Sequence, residues 1–250
     1  MSNLTDLILK FLVFVAGFID SIVGGGGLIT LPVFTLLVGP GAPAVATNKI
    51  VATVAALTAL IVYARKGHLK IKIASTFFIA IGIGTFVGSQ LALYLPIALF
   101  KYLVITVCPI FLYIILNKKH FVKNENVTMP EKSKTFYRLI LSGLACGIYD
   151  GVLGPGGGTM MLLSLVIWAE LPLMVAIASS KFANVISATT ALATFSFNGV
   201  VRWDSGLKLA AFAFVGALGG SILANKKAEK IARPLLFIVV LGLLVKLVFE

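Results

Sequence analysis

Gly17-Phe-Ile-Asp-Ser-Ile-Val-Gly-Gly-Gly-Gly27 returns in the same chain as Gly147-Ile-Tyr-Asp-Gly-Val-Leu-Gly-Pro-Gly-Gly157, 130 positions later (147 − 17). Each copy lies between long apolar stretches. Glycines in series disfavour helix by about 1 kcal/mol each and proline by about 3 kcal/mol, so residues 24–27 and 154–158 predict breaks in otherwise helical segments. New helices are expected from Leu28 and Thr159. A second block recurs at an offset of 132: Ala46-Thr-Asn-Lys49 against Ala178-Ser-Ser-Lys181, then Thr58-Ala-Leu60 against Thr190-Ala-Leu192. The same offset places Gly67 on Gly199, Gly84 on Gly216, and Gly88-Ser89 on Gly220-Ser221. So long a collinear match indicates two homologous halves, residues 1–116 and 135–250.

Between them, residues 117–134 form a polar stretch with Asn124, Asn126 and Pro130. It carries Lys118, Lys119, Lys123, Lys132 and Lys134 against Glu125 and Glu131, and reads as a cytoplasmic linker.

The solvent for these halves is lipid. Of 250 residues, 59% are hydrophobic and 12% charged, and the mean hydropathy is +1.06. Soluble domains carry about twice that charge fraction. Residues 73–95, 99–116, 207–224 and 235–248 are almost free of charge, and those near 20 residues match a hydrocarbon slab about 30 Å thick. The fold class expected is an all-α, polytopic membrane bundle. The net charge of +12 would suggest nucleic acid in a soluble protein, but the basic residues sit in short loops between apolar segments, so no nucleic-acid partner is expected. The N-terminal apolar stretch lacks a small-residue cleavage signature and reads as retained. Cys108 and Cys146 lie in apolar stretches and read as small buried thiols, with no disulfide framework or metal-ligand spacing. No Ser/His/Asp set or paired carboxylates mark an enzyme, and no cofactor motif is present: Gly82-Ile-Gly84 follows no strand, and residues 24–27 lack the Lys-Ser/Thr of a phosphate loop.

Loop charge suggests how the halves are oriented. Residues 64–72 carry Arg65, Lys66, Lys70 and Lys72 without an acid, whereas the mate loop, 196–204, has Arg202 against Asp204. The next pair reverses: residues 93–101 have Lys101 alone, and 225–233 have Lys226, Lys227, Lys230 and Arg233 against Glu229. A loop basic in one half and nearly neutral in the other predicts an inverted repeat with both termini outside. Each half then crosses an odd number of times, so residues 4–63 and 135–197 hold either three crossings or one crossing and a hairpin. A parallel duplication with four spans per half is the alternative.

The breaks direct attention to function. Irregular backbone at membrane depth survives only where protein buries it or it lines a cavity, and the helices restarting after each break would point free N–H groups and positive dipole ends into that cavity. Gly24, Gly25, Gly26, Gly27, Gly154, Gly156, Gly157 and Gly158 are therefore candidate binding residues for a small anion. Lys49 and Lys181, matched across the repeat and each following a proline (Pro43, Pro172), could neutralise that anion or snorkel to water. Asn48 and Asn184 accompany them. Asp20 and Asp150, four residues before Gly24 and Gly154, could couple a proton or sodium ion to transport. They could equally cap freed amides, fix the break and pair with a lysine. Gly84 and Gly88, with Gly216 and Gly220, have the small-xxx-small spacing of helix packing. Trp168, Trp203, Tyr94 and Tyr63 read as interface anchors, and His68 and His120 as solvated.

Phe18-Ile-Asp-Ser-Ile-Val-Gly-Gly-Gly-Gly-Leu-Ile-Thr-Leu-Pro32, with Ala46-Thr-Asn-Lys49 and Asp150-Gly-Val-Leu-Gly-Pro-Gly156, resembles the TauE/SafE family of membrane permeases, from about Phe14 onward. The resemblance implies transport, mostly export, of sulfur-containing anions such as sulfite, thiosulfate or sulfoacetate across a bacterial or archaeal plasma membrane, through seven to nine spans. The function expected is a secondary transporter. An anion channel and a non-transporting sensor or scaffold are the alternatives, and the oligomeric state is left open.

Overall fold

A computed structural model of the chain describes residues 3–69, 71–96 and 132–249. Among them are eight helices and no strand: α1 (Asn3–Val23), α2 (Gly27–Val38), α3 (Ala42–Arg65), α4 (Ile71–Ala92), α5 (Lys132–Val152), α6 (Gly157–Ile167), α7 (Leu173–Phe197) and α8 (Trp203–Phe249). The two halves repeat one order: a long helix, a break, a short helix and two long helices. Of the linker, residues 117–131 lie outside the described residues, as do Cys108, His120 and residues 99–116, while Lys132–Lys134 form the first turn of α5.

Four of these helices are long and apolar enough to cross a membrane: Ala42–Arg65, Ser75–Ala92, Leu173–Phe197 and Trp203–Ala224. Helices α2 and α6, of 12 and 11 residues, reach about 18 Å or less, too short for a slab of about 30 Å. Large apolar side chains stand exposed on the outer faces, among them Ile79, Ile83 and Phe86 of α4 and Phe214, Val215 and Leu218 of α8. Lipid is the solvent that accommodates such a surface.

Packing interleaves the halves. Helix α8 lies along α1, where a Cβ on Gly216 would stand 2.0 Å from the Phe14 carbonyl oxygen and one on Gly220 2.3 Å from that of Phe18. The mate contact is made by α4 on α5: a Cβ on Gly84 would meet the Leu144 oxygen at 2.5 Å, and one on Gly88 the Ile148 oxygen at 2.3 Å. Residue numbers rise together in both pairs, so each pair is parallel. Helix α3 also runs with α1, since Ala16 and Gly17 share a cleft with Val51, Ala52 and Ala55, while Tyr63, further along, donates to the Ser21 carbonyl at 2.9 Å. Helix α7 likewise runs with α4: Phe78 meets Phe182 edge-on, and the hydroxyls of Thr85 and Ser187 lie 2.8 Å apart. Among the described residues the long helices thus form two groups of three, α1–α3–α8 and α5–α7–α4, each completed by a helix of the other half. The small-residue faces act as helix-packing surfaces, as their spacing implies.

Three expectations are corrected. The helices after the breaks start at Gly27 and Gly157 rather than Leu28 and Thr159. Residues 225–233, read as a loop, continue α8, because a run rich in Lys, Ala, Glu and Arg with no Gly or Pro before Pro234 has high helix propensity. The reversal expected there, which would carry the C-terminus back outside, is replaced by continuous helix. Tyr63 is fully buried, not at an interface; its hydroxyl has the Ser21 carbonyl to satisfy it. Trp168, Trp203 and Tyr94 are exposed.

Two glycines test the packing account. Gly88→Ala forces a methyl into the Ile148 backbone and should lower stability by about 1–3 kcal/mol. Gly82→Ala meets only the Ile186 side chain at 3.5 Å and should be close to neutral. Thermal unfolding of the two purified variants in detergent reads the difference.

Candidate functional site

The two breaks meet backbone to backbone at the centre. Gly24 and Gly25 turn the first break with φ of 80° and 89°, a left-handed region that only glycine enters at little cost. In the second break Pro155 stands where Gly25 stands in the first. Its ring fixes a negative φ, so the left-handed residues there are Gly154 (φ 83°) and Gly156 (φ 79°). A Cβ on Gly24 would lie 2.4 Å from Gly158 C and Thr159 N, and one on Gly27 3.1 Å from Pro155 Cα. Thr159 Oγ1 donates to the Val23 carbonyl at 3.2 Å, tying the start of α6 to the end of α1. Tyr149 donates its hydroxyl to the Pro155 carbonyl at 2.8 Å.

The charged pairs cross between the halves at this contact. Lys49, in the second turn of α3, places Nζ 2.8 Å from Asp150 Oδ2 and donates to the Asp150 carbonyl at 2.6 Å. Ser187 Oγ donates to the same Oδ2. Reciprocally, Lys181 donates to the Asp20 carbonyl with its Nζ 4.0 Å from Asp20 Oδ2, and Asn184 Nδ2 lies 3.5 Å from that oxygen. Asp20 Oδ1 accepts the Gly26 N–H at 3.1 Å, capping one amide freed by the break. Asn48 bonds to Thr30 through its Oδ1, and Thr30 reaches the Gly26 carbonyl at 3.2 Å. Both lysines and both aspartates are buried. A charge in such a place is tolerated only with a partner, which each finds in the opposite half.

The two glycine clusters and the aspartates, lysines and asparagines named with them as candidate site residues therefore gather at one crossing. Glycine lets the backbones of the two breaks touch. A cleft opens beside the first break, lined by Ala16, Gly17, Asp20, Gly26, Gly27, Thr30, Val51, Ala52 and Ala55. It has room for about one water molecule. Sequence reading missed Thr30, Ser187, Thr85, Thr159 and Tyr149, since Ser, Thr and Tyr are common in membrane helices and nothing in their spacing sets them apart. Cys146 is buried beside Ser164.

The family described as "Sulfite exporter TauE/SafE" matches residues 9–247. The chain belongs to the TauE/SafE family. This TauE/SafE protein is 35% identical over 259 residues, spanning 100% of this chain and 96% of the relative, to "Probable membrane transporter protein ORF9" of Sinorhizobium sp. It is 31% identical over 253 residues, 97% of this chain and 89% of the relative, to "Probable membrane transporter protein YfcA" of Escherichia coli (strain K12). "Probable membrane transporter protein YunE" of Bacillus subtilis (strain 168) is 25% identical over 266 residues, 98% of this chain and 97% of the relative. No solved structure matches. As a member of this family, the TauE/SafE chain is a membrane transporter.

A double-mutant cycle reads the crossed pair. Asp150→Asn or Lys49→Met alone leaves a buried charge without its counter-charge and should destabilise the TauE/SafE protein by about 3 kcal/mol or more. The double variant should recover a large part of that, giving a coupling of at least about 1 kcal/mol in unfolding measurements. Simple additivity would deny the pair its role.

Proposed function

We propose that this protein is a secondary transporter that moves a small sulfur-containing oxyanion, such as sulfite or thiosulfate, outward across the plasma membrane. The halves are inverted and rock about the crossing of the two breaks. The observation that carries the reading is the reciprocal exchange of Lys49 to Asp150 and Lys181 to Asp20 across the contact of the breaks. Two ammonium groups and two helix starts gathered at one buried point form the electrostatic environment an oxyanion requires. In the conformation described the aspartates hold the lysines, so an anion competes with a carboxylate for the ammonium. The cleft is also too small for an oxyanion of sulfite's size, and the halves must separate to admit one. Export, rather than uptake, rests on the printed family description.

Inversion draws support from chain reach. Helix α3 ends at Arg65 and α4 begins at Ile71. The short connection between them spans at most about 20 Å, while a 24-residue helix is about 36 Å long. Helix α4 must therefore start at the end where α3 finishes and run back. Because α3 runs with α1 and α4 with α5, the first helices of the two halves point in opposite directions. With the basic loop after α3 facing the cytoplasm, the N-terminus lies outside.

Thiosulfate flux in vesicles reconstituted with the purified protein tests the site. It should saturate, and Lys49→Ala and Lys181→Ala should each reduce it by tenfold or more. Unchanged flux in both variants removes the lysines from the mechanism, and large single-channel currents make the protein a channel. Cysteines placed at Lys66 and Lys226, with Cys108 and Cys146 replaced by serine, should both label from the cytoplasmic side. Labelling from opposite sides would favour the parallel duplication.

A further inference from the structure

The two aspartates occupy matched positions but different surroundings, and we propose that Asp20, not Asp150, is the carboxyl group that takes up and releases a proton during the transport cycle. The role in the cycle rests on the transport reading above; the protonation itself does not.

Asp150 is sealed. Its Oδ2 takes the Lys49 ammonium at 2.8 Å and the Ser187 hydroxyl, and its Oδ1 lies against Gly157, where a Cβ would stand 2.1 Å from it. Asp20 is held more loosely, with Asn184 Nδ2 3.5 Å from its Oδ2. Oδ1 keeps the Gly26 N–H at 3.1 Å, whereas Oδ2 lies 4.0 Å from Lys181 Nζ, and that ammonium is turned to the Asp20 main-chain carbonyl. Asp20 also borders the cleft.

The difference is written in the repeat. Ala16, Ala52, Ala55 and Thr30 border the cleft, and their mates are Cys146, Asn184, Ser187 and Met160. Where the second half places a hydroxyl on its carboxylate, the first half has the methyl group of Ala55 and leaves space. A proton can therefore reach the Asp20 carboxyl group from water in the cleft.

The groups facing Asp20 are few. Helix α7 presents Lys181 and Asn184. Helices α2 and α6 carry no ionisable residue. On α3, Lys49 is paired with Asp150 and the Tyr63 hydroxyl is bonded to Ser21. Helix α8 brings Ala213, Gly216 and Gly220 against α1.

Charge then balances simply. With Asp20 ionised, it compensates the Lys181 ammonium; with Asp20 protonated, Lys181 keeps its charge and is free to compensate one negative charge of a bound oxyanion. One proton enters for each such charge, no covalent bond to carbon or sulfur changes, and the buried site is neutral both with Asp20 ionised and with proton and oxyanion bound together.

Infrared difference spectroscopy of the protein in lipid nanodiscs, between alkaline and acidic buffer, reads the proton without any substrate. A protonated-carboxyl band from a buried aspartic acid should appear on acidification in the wild type and in Ser187→Ala, and be absent from Asp20→Asn. A band that survives Asp20→Asn, one that shifts with Ser187→Ala instead, or no pH-dependent band in the wild type would each overturn the assignment. Thiosulfate counterflow in wild-type vesicles tests the transport reading separately. An Asp20 band without counterflow supports the proton site while contradicting the choice of substrate.

Discussion

Four buried charges that find their partners only in the opposite half set the terms for the rest of this structure. An ammonium or carboxylate at membrane depth costs several kcal/mol without a counter-charge. Lys49 and Asp150, and Lys181 and Asp20, therefore require the halves to be docked with their breaks in register. Neither half can satisfy its own pair: the lysine of each half is held to the other half's aspartate. The fold is consequently a mutual arrangement, two halves that complete one another at a single crossing.

That crossing explains why glycine dominates the repeated motif. Backbone must touch backbone where Gly24 meets Gly158 and Thr159, and the turns need left-handed φ at Gly24, Gly25, Gly154 and Gly156. The same demand extends outward along the helices. Gly216 and Gly220 lie on Phe14 and Phe18, and Gly84 and Gly88 on Leu144 and Ile148, drawing α8 and α4 onto the other half's first helix. In lipid, where apolar surface gains little by leaving the solvent, such close approach is the main source of helix association.

Much of this was legible in the amino-acid sequence because repetition makes weak signals strong. One glycine cluster suggests close packing; two at an offset of 130 mark paired breaks, and the same logic picks out Asp20 with Asp150 and Lys49 with Lys181. What the repeat could not convey is which aspartate each lysine takes, since partners within a half and between halves have the same sequence signature. The touching of the breaks was also hidden, because a glycine needed for space and one needed to line a cavity read alike. Helix continuity through residues 225–233 was obscured by charge: a polar run is a loop or a helix according to propensity, and here lysine, alanine and glutamate favour helix. Ser187 stands out through the asymmetry it creates between the carboxylates, visible once Ala55 is recognised as its mate.

The pseudo-symmetry and its breach have separate consequences for transport. In the proposed transport cycle the halves tilt about this crossing, as alternating access requires; Ala55 borders a cleft beside Asp20, whereas Ser187 fills the mate position against Asp150. The central claim is that the oxyanion is bound where these pairs cross. A structure determined with thiosulfate tests it most directly. The account predicts ligand density between Lys49 and Lys181 at the contact of residues 24–27 with 154–158, with at least one lysine parted from its aspartate; density elsewhere, with both Lys–Asp pairs intact, would contradict it.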